Sequence, residues 1–327
     1  MDITVSVWQP WMTARWKKIS IAEQVNMIRA IGANAASIKS VNREWVFGAK
    51  ENFSSVSIYQ NTTNDAFEIE AKAQGLDVHH WGWVDCQNPG AQADAVKKAI
   101  ARWNPKVFKI DNELEVAKKY AYNTGAFLRS LGRPVRHDGT PVQFFLQSYR
   151  RPDLHPEIAW EKWLTYRAPD GVFYLTGHAP QAYWFSNDVL GDFEKMLKAH
   201  EDLERRIGRR GLPWHITLPT FAELGWYPTP EQMETGIDFL RAELGERLVG
   251  VDFWRLEWLM TTPEGKEMRE MLMSYDWGED EPQDEDDPGA VDGDPIGIHV
   301  TVTDTKGRPV NITALLPDGG SVHVVEG

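Results

Sequence analysis

The strongest constraint in this sequence is a rhythm. Short runs rich in β-branched and aromatic residues alternate eight times with longer segments patterned for helix. The short runs are 3–8, 34–39, 76–83, 106–111, 142–149, 171–176 (extended by 182–184), 213–218 and 248–254. The segments between them carry helix punctuation. Ser20, with Glu23 three residues on, forms a capping box for a helix that runs to Ile31 and stops at Gly32. Asn104-Pro105 halts the helix ending at Trp103, and Thr229-Pro230 opens another with proline in its first position. Strand–helix pairs recurring every roughly 30 to 45 residues predict an α/β fold, the (β/α)8 TIM barrel. An open doubly wound sheet is the rival. No Gly-x-Gly-x-x-Gly follows the first run to support it.

The chain has 327 residues, 42% of them hydrophobic, enough for one such barrel. Its character changes after residue 278. Residues 279–294 are mostly Asp, Glu, Pro and Gly; such a run repels itself and reads as an acidic flexible linker. Residues 295–327 alternate apolar and polar, with turns at Lys306-Gly307 and Asp318-Gly319-Gly320, and read as a small β-strand module. About 30 residues bury little by themselves, so this module is expected to dock on the barrel, pair with another chain or bind a partner. The expected organisation is a barrel over 1–278, a linker over 279–294 and a β module over 295–327.

A net charge of −13 argues against a nucleic-acid groove and suits a neutral ligand such as a sugar. No run of about 18 apolar residues exists to span a membrane. The opening MDITVSVWQPW lacks the basic stretch and apolar core of a secretory signal. The expectation is a chain cytoplasmic when made; release or virion association would need a route it does not encode. Cys86 is the single cysteine, so an internal disulfide is excluded, and it reads as a packed thiol. His79 and His80 are adjacent in a strand and face opposite ways, while His155, His178 and His215 are scattered. No metal-ligand spacing results, and neither a metal nor an organic cofactor is expected.

Barrel enzymes place their chemistry at the carboxyl ends of the strands. The fourth run ends Asp111-Asn112-Glu113-Leu114-Glu115, three carboxylates within five residues. Neighbouring carboxylates raise one another's pKa, so one holds a proton while another stays ionised, as glycosidic cleavage requires. The plainer alternative is acids offsetting the macrodipole of the helix that follows, which fits Glu115 best. Glu223 follows the seventh run beside Phe221, Gly225 and Trp226, as a second carboxylate or a surface-loop acid. The least ordinary number in the composition is 15 tryptophans, some of which must be core. Trp8, Trp81, Tyr183, Trp226 and Trp254 fall at strand ends, where flat apolar rings match the C–H face of a pyranose, though each ring could equally fill core.

These residues resemble two families. Asn112-Glu113 on the fourth strand and Glu223 after the seventh look like the large clan of retaining β/α-barrel glycosidases, which often has a tryptophan where Trp254 stands. That resemblance implies Glu113 as acid/base, Glu223 as nucleophile and Asn112 at the substrate. Asp111-Asn112-Glu113 also resembles the Asp-x-Glu pair of the family 25 muramidases, which cut peptidoglycan. Val5-Ser6-Val7-Trp8-Gln9, Ser37-Ile38-Lys39, Ala91-Gln92-Ala93-Asp94 and Gln181-Ala182-Tyr183-Trp184 are similar to that family too. The chain departs from it at Thr4, where the family has an aspartate before its Val-Ser. Both resemblances imply a glycoside hydrolase acting on a polysaccharide, with Glu113 as general acid. They differ over its partner, Glu223 or Asp111. The alternatives are a non-catalytic carbohydrate-binding or structural barrel within a larger assembly, and a metal-dependent hydrolase or isomerase.

Overall fold

The computed structural model describes residues 1–48, 63–113, 118–184, 186–222, 226–278, 297–303, 309–315 and 322–325. Glu115, Glu223, the acidic segment 279–294 and the turns at Lys306-Gly307 and Asp318–Gly320 lie outside the described residues. By their contacts the residues divide into two compact units, Met1–Tyr275 and Asp276–Gly327.

Eight parallel strands of the first unit close on themselves. They are β1 (Asp2–Val7), β2 (Ala35–Asn42), β3 (Asp77–Trp83), β4 (Val107–Asp111), β5 (Gln143–Tyr149), β6 (Gly177–Gln181), β7 (Trp214–Pro219) and β8 (Leu248–Trp254). Each pairs with the next, and β1 pairs with both β2 and β8, so Val7 lies beside Ile38 and Ser6 beside Trp254. A two-residue strand, Trp45–Val46, adds an antiparallel flap to β2. Helices connect consecutive strands, among them the capped Ile21–Ala30 and Pro230–Leu244 segments, whose capping boxes form as their sequences require. The fold is a (β/α)8 barrel.

Strand side chains alternate between the two faces. On β4, Phe108 and Ile110 join the apolar shell beneath the helices, with Trp103, Phe127 and Trp163. Lys109 takes the other face and points into the barrel. Its Nζ donates to Asp252 Oδ2 on β8 at 2.5 Å, and neither side chain has solvent exposure. Ser6 Oγ on β1 lies 2.8 Å from both Asp252 oxygens. A buried charge needs such company, because an unpaired one is strongly disfavoured in low dielectric.

The sixth strand departs from expectation. The apolar run 171–176 was the expected strand, yet the strand is Gly177–Gln181. Leu175 packs into the shell, and Phe173 lies beneath the guanidinium groups of Arg167 and Arg209, 3.7 and 4.0 Å from its ring centre. The strand looks polar in sequence because its outward His178 is satisfied by Glu204, at 3.0 Å. Gly177 is required where it stands, since a Cβ there would lie 2.0 Å from the Pro213 carbonyl oxygen. The segment expected as a helix over 116–131 contains a 3-10 turn, Ala121–Asn123, and a helix, Thr124–Leu131. Helices Pro10–Lys17 and Leu256–Thr261 were not anticipated.

The second unit contains three antiparallel strands, β9 (Gly297–Thr303), β10 (Pro309–Leu315) and β11 (Val322–Val325), in that order. Among the described residues, no helix is long and apolar enough to cross a membrane.

Removing one partner of the Lys109–Asp252 pair leaves the other charge stranded. Asp252→Ala is expected to destabilise the barrel by about 3–5 kcal/mol, read from the urea midpoint. A loss below about 1 kcal/mol would mean that Lys109 is not charged there.

Candidate active site

A cleft of about 730 Å³ opens at the carboxyl end of the barrel. Lys39, Asp111, Gln181 and Trp254 line it from β2, β4, β6 and β8, one layer contributed by alternate strands. Trp81 of β3 and Gln147 of β5 lie in its wall as well. Trp8, Trp83, Tyr183 and Phe221 complete an aromatic surround.

Asp111 and Glu113 are two residues apart along an extended chain, so both aim at the cleft. Glu113 Oε1 accepts a hydrogen bond from the Gln181 amide, whose Nε2 also lies 3.4 Å from Asp111 Oδ1. Burial pushes the Asp111 carboxyl well above the usual carboxylate range, and the Glu113 charge and a hydrogen bond with Glu113 push it the same way; Lys39 opposes them. Asp111 therefore keeps its proton over a pH range in which an isolated aspartate has lost it. Burial lowers the Lys39 ammonium, while Asp111 and Glu113 raise it. Lys39 Nζ stands 4.8 Å from the centre of the Trp81 ring. Trp81 in turn meets Trp254 edge-on, ring centres 5.5 Å apart.

The other expected site residues fall in different places. Trp8 is 37% exposed at the cleft and lies under the Arg255 guanidinium. Tyr183 lines the cleft and meets Phe221 edge-on at 5.3 Å. Trp226 is not among the lining residues and packs on the buried Trp184, ring centres 5.8 Å apart. Asn112 is buried and turned outward: its Nδ2 donates to the Val84 carbonyl at 2.7 Å and its Oδ1 accepts from the Trp163 indole at 3.2 Å. It braces the β4 end rather than facing the cleft. Glu223 lies outside the described residues. Cys86 is buried, which pushes its thiol up to about 12 and removes it as a nucleophile. Lys39 and Gln181 were not singled out as site residues from the sequence; a polar residue at the end of an even-numbered barrel strand was the signal for both.

The arrangement offers a proton donor, a neighbour that holds it, two polar groups that orient the pair, and apolar rings around them. Comparison with known proteins places the architecture. No family model matches the sequence, and no curated protein matches it. Solved structures do match in fold, and they are glycoside hydrolases. The active domain 2 of a chitinase from Pyrococcus furiosus is 13% identical, with 78% of this chain and 83% of that chain covered and a TM-score of 0.50. A chitinase from Rhizomucor miehei is 9% identical, with 84% and 99% covered and a TM-score of 0.47. A bacterial fucosidase is 11% identical, with 99% and 94% covered and a TM-score of 0.47. At these identities the likeness is one of fold.

The raised Asp111 has a consequence for stability. Between the ordinary aspartate range and its raised value, the folded chain keeps a proton that the unfolded chain has lost. Stability is fullest below that window and falls as pH rises through it, by about 1.4 kcal/mol per pH unit. Asp111→Asn is expected to flatten this slope above about pH 4, measured by urea denaturation across pH. Parallel profiles for the two proteins would show that Asp111 ionises normally.

Proposed function

We propose that this protein is a glycoside hydrolase acting on a polysaccharide, with Glu113 as the general acid and Asp111 as its partner. The observation that carries this is the Asp111–Glu113–Gln181 cluster in an aromatic-walled cleft at the carboxyl end of the barrel. Glu113 is the half-buried member of the pair, at the position from which a proton reaches a leaving oxygen. Asp111, raised by burial and by Glu113, is the neighbouring group that positions it.

The spacing narrows the mechanism. A nucleophile and acid of a retaining enzyme stand about 5–5.5 Å apart, and an inverting pair about 6.5–9.5 Å. Asp111 and Glu113 are in hydrogen-bond contact and suit neither. Such a pair suits one acid and one orienting group, with the nucleophile coming from elsewhere. Among the described residues, they are the cleft's carboxylates. The nucleophile is then the substrate's own N-acetyl oxygen, as in substrate-assisted enzymes, or Glu223. An N-acetylated polysaccharide, such as chitin or the glycan of peptidoglycan, is the reading that requires no further protein group. The fold likeness to the Pyrococcus furiosus chitinase domain makes this substrate class the first to try.

Glu113→Gln keeps shape and removes the transferable proton. It is expected to lower reducing-end release by about 10²–10⁴-fold while glycan binding persists. The assay is sugar release from chitin oligosaccharides, peptidoglycan and glycans without N-acetyl groups. Full activity in the variant would remove Glu113 from its role. Binding without release by the wild type would instead assign a carbohydrate-binding barrel. Activity on glycans lacking N-acetyl groups would point to Glu223.

A further inference from the structure

The opposite end of the barrel holds a cluster with no part in this chemistry. Asp2 opens β1, His79 is the third residue of β3, and His215 is the second of β7. The strands are parallel, so all three stand near the amino end. The two histidines come from strands that do not pair, yet their ring centres are 5.5 Å apart, so they meet across the interior. His79 Nε2 lies 3.5 Å from Asp2 Oδ2. One potential ligand atom from each of the three residues falls within 4.8 Å of the others.

Unmet bonding capacity, which buried His200 shares, coincides here with three converging donor atoms. Both histidines are buried, and none of their four ring nitrogens has a hydrogen-bond partner. Buried polar atoms without partners are rare and disfavoured. His80 and His178, on the outer face, each meet a glutamate through Nε2, Glu68 at 2.6 Å and Glu204 at 3.0 Å, and leave only Nδ1 without a partner. A neutral imidazole keeps a lone pair, the form that binds metal.

We propose that Asp2, His79 and His215 bind a divalent transition-metal ion, Zn²⁺ foremost, that ties β1, β3 and β7 together at the amino end of the barrel. Two imidazoles and a carboxylate are a donor set that suits zinc. The nearby ammonium groups are already offset, Lys109 by Asp252 at 2.5 Å and Lys106 by Asp2 Oδ1 at 3.5 Å. Lys106 occupies one oxygen of Asp2, and the other faces His79. Gly250 makes room for the His215 ring, since a Cβ there would stand 2.5 Å from Nε2. A surface depression of about 270 Å³, lined by Asp2, Asn34, Lys72 and Asp77 among others, opens the Asp2 side of the trio to solvent. Features at this end of a barrel belong to stability rather than catalysis, and the ion's role is structural.

The test uses the untagged full-length chain, stripped with a chelator. Zn²⁺ is titrated against a chromophoric competitor, and Co²⁺ is added separately for its visible spectrum. One equivalent of Zn²⁺ should bind, with Co²⁺ giving the intense d–d bands of a four-coordinate site. The melting temperature should rise by about 5 °C at a hundredfold excess over Kd. Asp2→Asn, at a partly exposed position that tolerates the change, should weaken Zn²⁺ by about tenfold or more, with circular dichroism unaltered. His79→Gln should do the same, while Glu113→Gln should bind Zn²⁺ as the wild type does. Absence of stoichiometric Zn²⁺ binding by the wild type overturns the proposal. So does wild-type affinity in both Asp2→Asn and His79→Gln, or loss of binding in Glu113→Gln, which would move the ion to the cleft.

Discussion

An ammonium group in the middle of an eight-stranded barrel is tolerable only with a carboxylate at contact distance, and Asp252 supplies it to Lys109. The pair spans the interior from β4 to β8, strands that do not touch through their backbones. Each partner stands two residues below a cleft residue: Lys109 below Asp111, Asp252 below Trp254. Because strand side chains alternate, fixing the lower residue fixes the direction of the upper one. The ion pair thus sets the carboxylate and the tryptophan on opposite sides of one cleft. Ser6, holding Asp252 from β1, extends the same restraint across the seam where the barrel closes.

Desolvation acts on both ends of this interior with opposite results. At the carboxyl end it lifts Asp111, because burial disfavours the charged carboxylate, and Glu113 adds its repulsion. At the amino end it depresses His79 and His215, because burial disfavours the charged imidazolium. One end therefore stores a proton and the other offers lone pairs. Lys109, between them, adds to the depression of the histidines. At the carboxyl end the cation acting on Asp111 is Lys39 instead.

Much of this was legible in the sequence, for identifiable reasons. The barrel strands stand out because both faces are covered and the runs are apolar; β6 escaped because its outward histidine is satisfied by Glu204 and its first residue must be glycine. Asp111 and Glu113 were legible as carboxylates at a strand end, and Trp81, Tyr183 and Trp254 as rings at others. Asn112 read as a substrate contact, but its amide is engaged by Val84 and Trp163, partners about 30 and 50 residues away in sequence that no local pattern reveals. Asp2, His79 and His215 escaped for the same reason, since one residue from each of three strands leaves no spacing to read. His79 and His80 do face opposite ways, as alternation demands, and only the inner one joins the trio.

The contact between Asp111 and Glu113 bears on the chemistry more than either residue alone. Two carboxyl groups reached by one Gln181 amide are too close to serve as an acid and a separate nucleophile on opposite faces of a sugar, because that task needs room for the ring between them. They can serve as a donor and the group that reloads and aims it. Gln181 reinforces this by bridging both oxygens from β6, and Lys39 by placing a cation beside them from β2. Under the proposed reaction, Glu113 on giving up a proton would become the anion that Gln181 and Lys39 are placed to stabilise. The proposed reaction then needs a nucleophile beyond the described carboxylates of the cleft, which is what turns attention to the substrate's own N-acetyl oxygen.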